Sequence, residues 1–270
     1  MSHAFVKNPC VVIGIGQVGQ VLAMGLLRQG YPVFPMNRGD DPAYFMEALS
    51  NPQLVLITVG KENLAAVLAA LPESWRAHVA LVQNELSPKD WQEAKITNPT
   101  LAALWFERRD NGAPRVILPT PLFGPKAGIL AEALSAMRLP FRMVGSEDAM
   151  IVELALKYLF TLTTMFGGLK TGGSIGVLWN NYRALALAIA EEILSVGELR
   201  FGLPLPRQML LERLTAVFDA APALIMMRDN ALARLEETIE FAQTNHLKVP
   251  TLRDIYDITA KNGATHAKTL

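Results

Sequence analysis

From position 10 onward the apolar residues fall into short continuous runs, separated by stretches where they recur every third or fourth place. Cys10-Val11-Val12-Ile13 is a β-rich apolar run. Val21, Leu22, Met24, Leu26 and Leu27 then repeat at helical spacing up to Gly30, a natural helix stop. Tyr31 to Met36 predicts a second strand. Leu54 to Val59 reads as strand and Glu62 to Leu71 as helix. Val79 to Val82 reads as strand, and Leu101 to Phe106 as one more. Val116-Ile117-Leu118 and Phe141 to Val144 read as later strands around a helix near Ile129 to Met137. Buried strands alternating with helices predict a largely parallel sheet covered on both faces.

After Gly145 the pattern changes. Ser146-Glu147-Asp148 can cap a helix, and strand signals nearly vanish beyond it. Met150 to Phe166, Trp179 to Phe201, Pro206 to Phe218 and Arg228 to Asn245 all read as helices. Gly167-Gly168 and Thr171-Gly172-Gly173-Ser174 are expected to break the first two. The expected architecture is therefore α/β: an N-terminal Rossmann-type parallel-sheet domain over residues 1–145, followed by an all-helical C-terminal domain over 146–270.

The chain has 270 residues with 25 basic and 25 acidic side chains, a formal net charge of zero. That balance argues against a nucleic-acid partner, which a clear basic excess would attract. With 51% hydrophobic and 19% charged residues the chain can bury a sizeable core and is not disordered. One cysteine, Cys10, excludes an internal disulfide and a cysteine-based metal site within one chain. The four histidines are scattered and form no metal-ligand pattern. The apolar stretch Ile151 to Phe166 carries Glu153 and Lys157, and is too short and too charged to span a bilayer. With no signal-peptide run near Met1, the expectation is a soluble, cytoplasmic protein without a membrane partner.

Gly14-Ile15-Gly16-Gln17-Val18-Gly19 lies between a strand and a helix, the setting in which such a turn binds a dinucleotide. The first glycine permits the tight turn, the second lets backbone N–H groups reach a pyrophosphate, and the third lets helix pack on strand. The second strand ends in Asn37-Arg38, with no acid in that place. An arginine there can grip a 2′-phosphate, so NADP(H) is the expected cofactor, although Asp40 and Asp41 just beyond can reverse that preference.

With that turn, Asn37-Arg38 and a helical second half, the chain resembles the ketopantoate reductase (2-dehydropantoate 2-reductase) family over roughly residues 9–257. Gln83-Asn84 sits where the family has Asn-Gly after a buried strand. Glu107-Arg108-Arg109-Asp110-Asn111-Gly112 is similar to its Arg-Arg-Asp-Gly turn, and Phe123-Gly124-Pro125 to its Ile-Gly-Pro. Lys157 stands where the family keeps its catalytic lysine, and Val249-Pro250 resembles its late Val-Pro. There are departures. Thr161 and Met165 replace asparagines one and two turns beyond the lysine. Asn230, within Met226-Met227-Arg228-Asp229-Asn230, stands where a substrate-binding Glu is expected. Glu85 follows Asn84 in place of Gly. The lysine expected after the third strand falls on Gly60, with Lys61 next.

Lys157 is unusual on its own account, because its helix is apolar nearly all round. A lysine in a buried helix is paired, snorkelling or functional. Glu153, four residues earlier, is a suitable ion-pair partner. The resemblance implies instead that Lys157 protonates a carbonyl oxygen as general acid. Burial disfavours its charged form and readies it to give up the proton. Asn84 is a candidate for the cofactor or substrate, with a self-satisfied turn residue as the plain alternative. Lys61 reads as a solvated helix-start residue. Thr161, Asn180, Asn181, Arg228, Asp229 and Asn230 are candidates for the substrate side.

The resemblance implies an NADP(H)-dependent reductase of a small 2-oxo acid, 2-dehydropantoate first, in pantothenate biosynthesis. A non-catalytic NADP-binding sensor or scaffold and a reductase of a different carbonyl are the alternatives, motivated by the altered polar positions. The sequence leaves the oligomeric state open and allows a homodimer through the helical half.

Overall fold

A computed structural model of the chain describes residues 7–37, 40, 49–108, 112–226 and 230–266. It divides into two compact units, Met1–Leu154 and Ala155–Leu270. The division falls inside one long helix, Glu147–Thr171.

In the first unit the strands are β1 (Cys10–Ile13), β2 (Val33–Met36), β3 (Leu54–Ile57), β4 (Val79–Leu81), β5 (Thr100–Ala102), β6 (Phe106–Glu107), β7 (Arg115–Val116), β8 (Thr120–Phe123) and β9 (Phe141–Met143). Seven of them form one sheet in the order β2-β1-β3-β4-β5-β8-β9. The first five are parallel, β8 joins β5 antiparallel, and β9 runs parallel to β8. Cys10 pairs with Val33 on one side and Leu54 on the other; Ile13 pairs with Met36 and Ile57. The expected α/β sheet is thus present, and it has a consequence for ligands. From β1 the chain goes outward to β2, then comes back to add β3 on β1's opposite side. The crevice beyond the carboxyl ends of β1 and β3 is where open α/β sheets bind ligands.

Helix α1 (Gln17–Arg28) packs on a helix of this unit at Gly25, where an added Cβ would lie 2.3 Å from the carbonyl oxygen of Ala133. Only glycine allows so close an approach between two backbones. Val21, Leu22 and Leu26 of α1 join Val12, Leu56, Ala80, Leu130 and Leu134 in one apolar core.

One expected strand is displaced. Residues 116–118 were the predicted strand, but Val116 belongs to β7, which pairs with β6 in a separate two-stranded ribbon, and the sheet takes Thr120–Phe123 instead. Pro121 within it has no N–H to donate to the ladder. Its carbonyl accepts from the N–H of Ala103 at 3.3 Å.

In the second unit the helices are Ile175–Asn181, Arg183–Phe201, Arg207–Ala220, Ala231–Thr244 and Pro250–His266, with the later part of Glu147–Thr171. Glu147–Thr171 runs through Gly167 and Gly168 rather than breaking there. These glycines make room for neighbours, since a Cβ at Gly167 would lie 2.5 Å from Leu178 Cδ2 and one at Gly168 3.0 Å from Met226 Cβ. The break comes at Gly172 and Gly173, whose φ angles are +61° and +71°. The single helix expected over 179–201 is two, interrupted at Tyr182, which has φ −133° and ψ 37°. Pro250–His266 was not foreseen. Its start is capped from another helix: the Glu192 carboxylate accepts from the N–H groups of Thr251 (2.8 Å) and Leu252 (3.0 Å). Phe218 stands between Phe160 and Trp179, with ring centroids 6.1 and 5.4 Å away.

Among the described residues, one helix, Glu147–Thr171, is long and apolar enough to cross a membrane, and 83% of its most apolar window is buried inside the protein.

Candidate functional site

Each glycine of the turn has a different physical reason to be glycine. Gly14 has φ +94°, a conformation that other residues rarely adopt, and a Cβ there would also meet Val59 Cγ1 at 2.9 Å. At Gly19 a Cβ would lie 2.1 Å from the Gly14 carbonyl oxygen and 2.8 Å from Thr58 Oγ1, so α1 could not sit where it does. At Gly16 a Cβ would meet nothing within 4 Å. That glycine is exposed and faces open space, so it is not required by anything inside the protein.

The open space is a cavity of about 750 Å³ at the carboxyl ends of β1, β2 and β3. Ile13, Gly14, Ile15 and Gly16 form one wall, Met36, Asn37 and Asp40 another, and Thr58, Val59, Gly60, Glu62 and Asn63 a third. It adjoins the start of α1, which has no acidic residue in its first turn and no side-chain cap at Gly16. Its first N–H groups are thereby left for an anion. Gln17 is exposed and Val18 half-buried on that first turn.

Thr58 locks the turn to the next strand. Its hydroxyl faces the carbonyl oxygens of Ile13, at 3.1 Å, and Gly14. Gln83 is buried and supports the same edge, its amide donating to the Ile57 carbonyl at 2.9 Å while its oxygen accepts from the Val82 N–H at 3.1 Å. Asn84, next in the chain, is exposed in a turn and is not among the residues lining the cavity. Asn37 is exposed on the cavity wall. The Asp40 carboxylate accepts from its N–H at 2.7 Å, and the Asp40 N–H donates back to the Asn37 carbonyl at 3.2 Å. Arg38 and Asp41 lie outside the described residues, as do Arg228 and Asp229.

Lys61, at a helix start, is expected from the sequence to be solvated. It is instead half-buried and ion-paired with Asp90, whose other oxygen accepts from the Ser87 N–H at 2.8 Å and so caps a short helix, Pro88–Glu93. Asp40, the acid that the sequence already offered beside the cofactor, lines the cavity; Thr58, Glu62 and Asn63 line it too and were missed. Their signal was positional: they follow a buried strand adjacent to the glycine-turn strand, at the switch point of the sheet.

Lys157 and Thr161 lie one turn apart on Glu147–Thr171, both buried, with the Lys157 ammonium 5.6 Å from the Phe160 ring centroid. Glu153, its expected partner, forms an ion pair with Arg142 at 2.5 Å. Asn230 is exposed at the start of Ala231–Thr244; Asn180 and Asn181 are exposed at the end of Ile175–Asn181. The structure therefore gathers Gly14, Ile15, Gly16 and Asn37 around one cavity, and Gln17, Val18 and Gly19 lie outside its lining. Among the described residues there is no group of three or more His, Cys, Asp or Glu side chains able to hold a metal.

No protein-family profile and no curated protein matches this sequence. Solved structures do match by fold. The 2-dehydropantoate 2-reductase of Methylococcus capsulatus superposes with a TM-score of 0.65 at 14% identity, over 95% of this chain and 97% of that one. A ketopantoate reductase from Ralstonia eutropha JMP134 gives 0.64 at 15% identity, over 93% and 97%. D-Mandelate dehydrogenase, solved with NADH and anilino(oxo)acetate, gives 0.62 at 12% identity, over 95% and 99%. The chain resembles ketopantoate reductases in fold over nearly its whole length.

Proposed function

We propose that this protein is a nicotinamide-dinucleotide-dependent oxidoreductase that reduces a small 2-oxo acid, with NADP(H) as cofactor and Lys157 as proton donor. The observation that carries the reading is the glycine turn, in which Gly14 and Gly19 are demanded by the protein's own packing while Gly16 borders the open cavity with no protein atom in the way of a side chain. A pyrophosphate needing bare backbone accounts for Gly16. The described residues fit a dinucleotide: the glycine turn and the start of α1 would hold the pyrophosphate, and Asn37 and Asp40 would face the adenosine ribose; Arg38 is the residue proposed for a 2′-phosphate.

When bound, the dinucleotide supplies a hydride to the carbonyl carbon of the substrate. The chain's own part is to place the carbonyl and to move a proton. Lys157 Nζ gives its proton to the carbonyl oxygen as negative charge develops there, and Thr161, one turn on, and Asn230 contribute polar contacts to the substrate. Asn84, outside the cavity lining, is a further candidate for the cofactor ribose or the substrate. Ketopantoate is the first substrate to test, which would place the enzyme in pantothenate biosynthesis. The solved proteins of this fold named as 2-dehydropantoate 2-reductases support that choice, and a dimeric ketopantoate reductase from Staphylococcus aureus supports a homodimer.

A second reading, NAD(H) in place of NADP(H), is favoured by one observation. The charged residues described on the cavity wall, Asp40 and Glu62, are both acidic. A carboxylate suits a ribose 2′-OH and repels a 2′-phosphate. Fluorescence titration with NADPH and NADH separates the two. Turnover is followed by the fall in NADPH absorbance against ketopantoate and a panel of branched, aromatic and long-chain 2-oxo acids. Tight NADPH binding with turnover of one panel member is expected. Binding without turnover of any member would mark a sensor, and binding of neither cofactor would overturn the reading.

A further inference from the structure

Ile15 is shared by two cavities of the first unit. One is the dinucleotide cavity; the other, of about 440 Å³, is lined by Gln20, Arg108 and Gly112 among apolar residues of α1 and β2. Gly16 lines only the first. The peptide joining Ile15 to Gly16 thus forms part of the wall between them.

The carbonyl side of that peptide is held by Gln20. Its side-chain amide donates to the Ile15 oxygen at 3.3 Å, while its backbone N–H donates to the Gly16 oxygen at 2.9 Å. One residue therefore holds two successive carbonyls of the turn. Gln20 is held in turn by Arg108, whose Nη1 donates to the Gln20 side-chain oxygen at 3.1 Å and whose Nε donates to the Gly112 carbonyl at 3.0 Å. A trans peptide is planar, with its C=O and N–H pointing in opposite directions. Pinning the Ile15 oxygen toward Gln20 therefore aims the Gly16 N–H the other way, toward the cavity that Gly16 lines.

We propose that Gln20 and Arg108 are positioning residues for the anion-binding turn: the chain Arg108–Gln20–Ile15 fixes one peptide plane so that the Gly16 N–H is pre-aimed at a phosphate oxygen. This rests on the dinucleotide reading above. It assigns a role to Arg108 in the loop before β7, and it makes the polar rim of the second cavity a support for the first. Arg108 acts through Gln20, not by touching the ligand.

The test is a double-mutant cycle on the full chain with Gln20→Met, which keeps length and helix propensity but removes the donor, and Arg108→Ala. NADPH affinity is measured alongside that of 2′-AMP, which carries the adenosine and a phosphate but no pyrophosphate. One neutral hydrogen bond sets the scale, so each variant should lose about three- to ten-fold for NADPH. Neither should lose affinity for 2′-AMP or thermal stability, since Gln20 is exposed. In the Gln20→Met background, Arg108→Ala should add little further loss. The Michaelis constant for NADPH should rise with the maximal turnover unchanged. Fully additive losses would overturn the relay by showing that Arg108 acts on the ligand directly. Unchanged NADPH affinity in Gln20→Met would overturn the positioning role. If the wild type binds neither NADPH nor NADH, the dinucleotide reading itself fails and the inference falls with it.

Discussion

A Cβ at position 19 would stand 2.1 Å from the carbonyl oxygen of Gly14. Real Cβ atoms do not approach a backbone oxygen that closely, so α1 rests on the turn only because residue 19 has no side chain. Gly19→Ala should therefore lower stability by about 1–3 kcal/mol or more, and the melting midpoint by roughly 5 °C. Gly16→Val should leave the midpoint almost unchanged and abolish cofactor binding, because its side chain would fill open cavity. Thermal melts and NADPH titration of the two variants check both. A Gly16→Val protein with wild-type NADPH affinity would place the phosphates elsewhere.

Cofactor choice is expected to respond to charge at two places. Arg38→Ala should lose about ten-fold or more for NADPH and little for NADH, as a charge-assisted bond to phosphate is worth roughly 1.5–3 kcal/mol. Asp40→Asn keeps an acceptor for the Asn37 N–H while removing an exposed negative charge from the cavity wall. It should raise the NADPH-to-NADH affinity ratio by a few-fold, the scale of about 1 kcal/mol or less for exposed charges. Titration at low salt gives both numbers. Equal changes for the two cofactors would remove position 38 from the 2′-phosphate site.

Lys157→Ala should cut turnover by about 10²–10⁴-fold with NADPH affinity nearly unchanged, the usual contribution of a general acid. Glu153→Gln is the control. Glu153 has Arg142 as an ion-pair partner, so its loss should lower the melting midpoint without the same fall in turnover. Turnover surviving in a folded Lys157→Ala protein would refute the catalytic role.

Cys10 is fully buried in β1, and burial pushes its thiol up from 9.0 to about 12, with Lys7 opposing weakly. The thiol should resist a disulfide reagent at pH 8 until the protein unfolds. Between about pH 9 and 12 the unfolded chain releases this proton and the folded chain keeps it. Fewer protons bound in the unfolded state means that stability falls as pH rises, by at most about 1.4 kcal/mol per pH unit from this group. Denaturant melts across that range should fall less steeply for Cys10→Ala. An equal slope in both proteins would show that the thiol titrates alike folded and unfolded.

The alternation of buried strands with helices, the glycine spacing after Cys10-Val11-Val12-Ile13 and the turn to helices after Gly145 were enough to establish the α/β first half and the helical second half. Such features are local: a strand's apolar run and a helix's period are written in neighbouring residues. What the sequence did not determine depended on residues far apart in the chain. Pro121 sits within β8, its carbonyl accepting from Ala103, and Gly167 lies within a helix where its missing side chain makes room for Leu178. Glu153 has Arg142 as a partner, and Lys61 has Asp90, across sequence distances that no spacing rule covers. The same reason explains the site. The motif named Gly14, Gly16 and Gly19, but only the folded chain shows that Gly14 answers to Val59, Gly19 to Gly14 and Thr58, and Gly16 to no protein atom. A sequence lists the groups that can pair; the tertiary structure decides which pairings leave a surface open for something else.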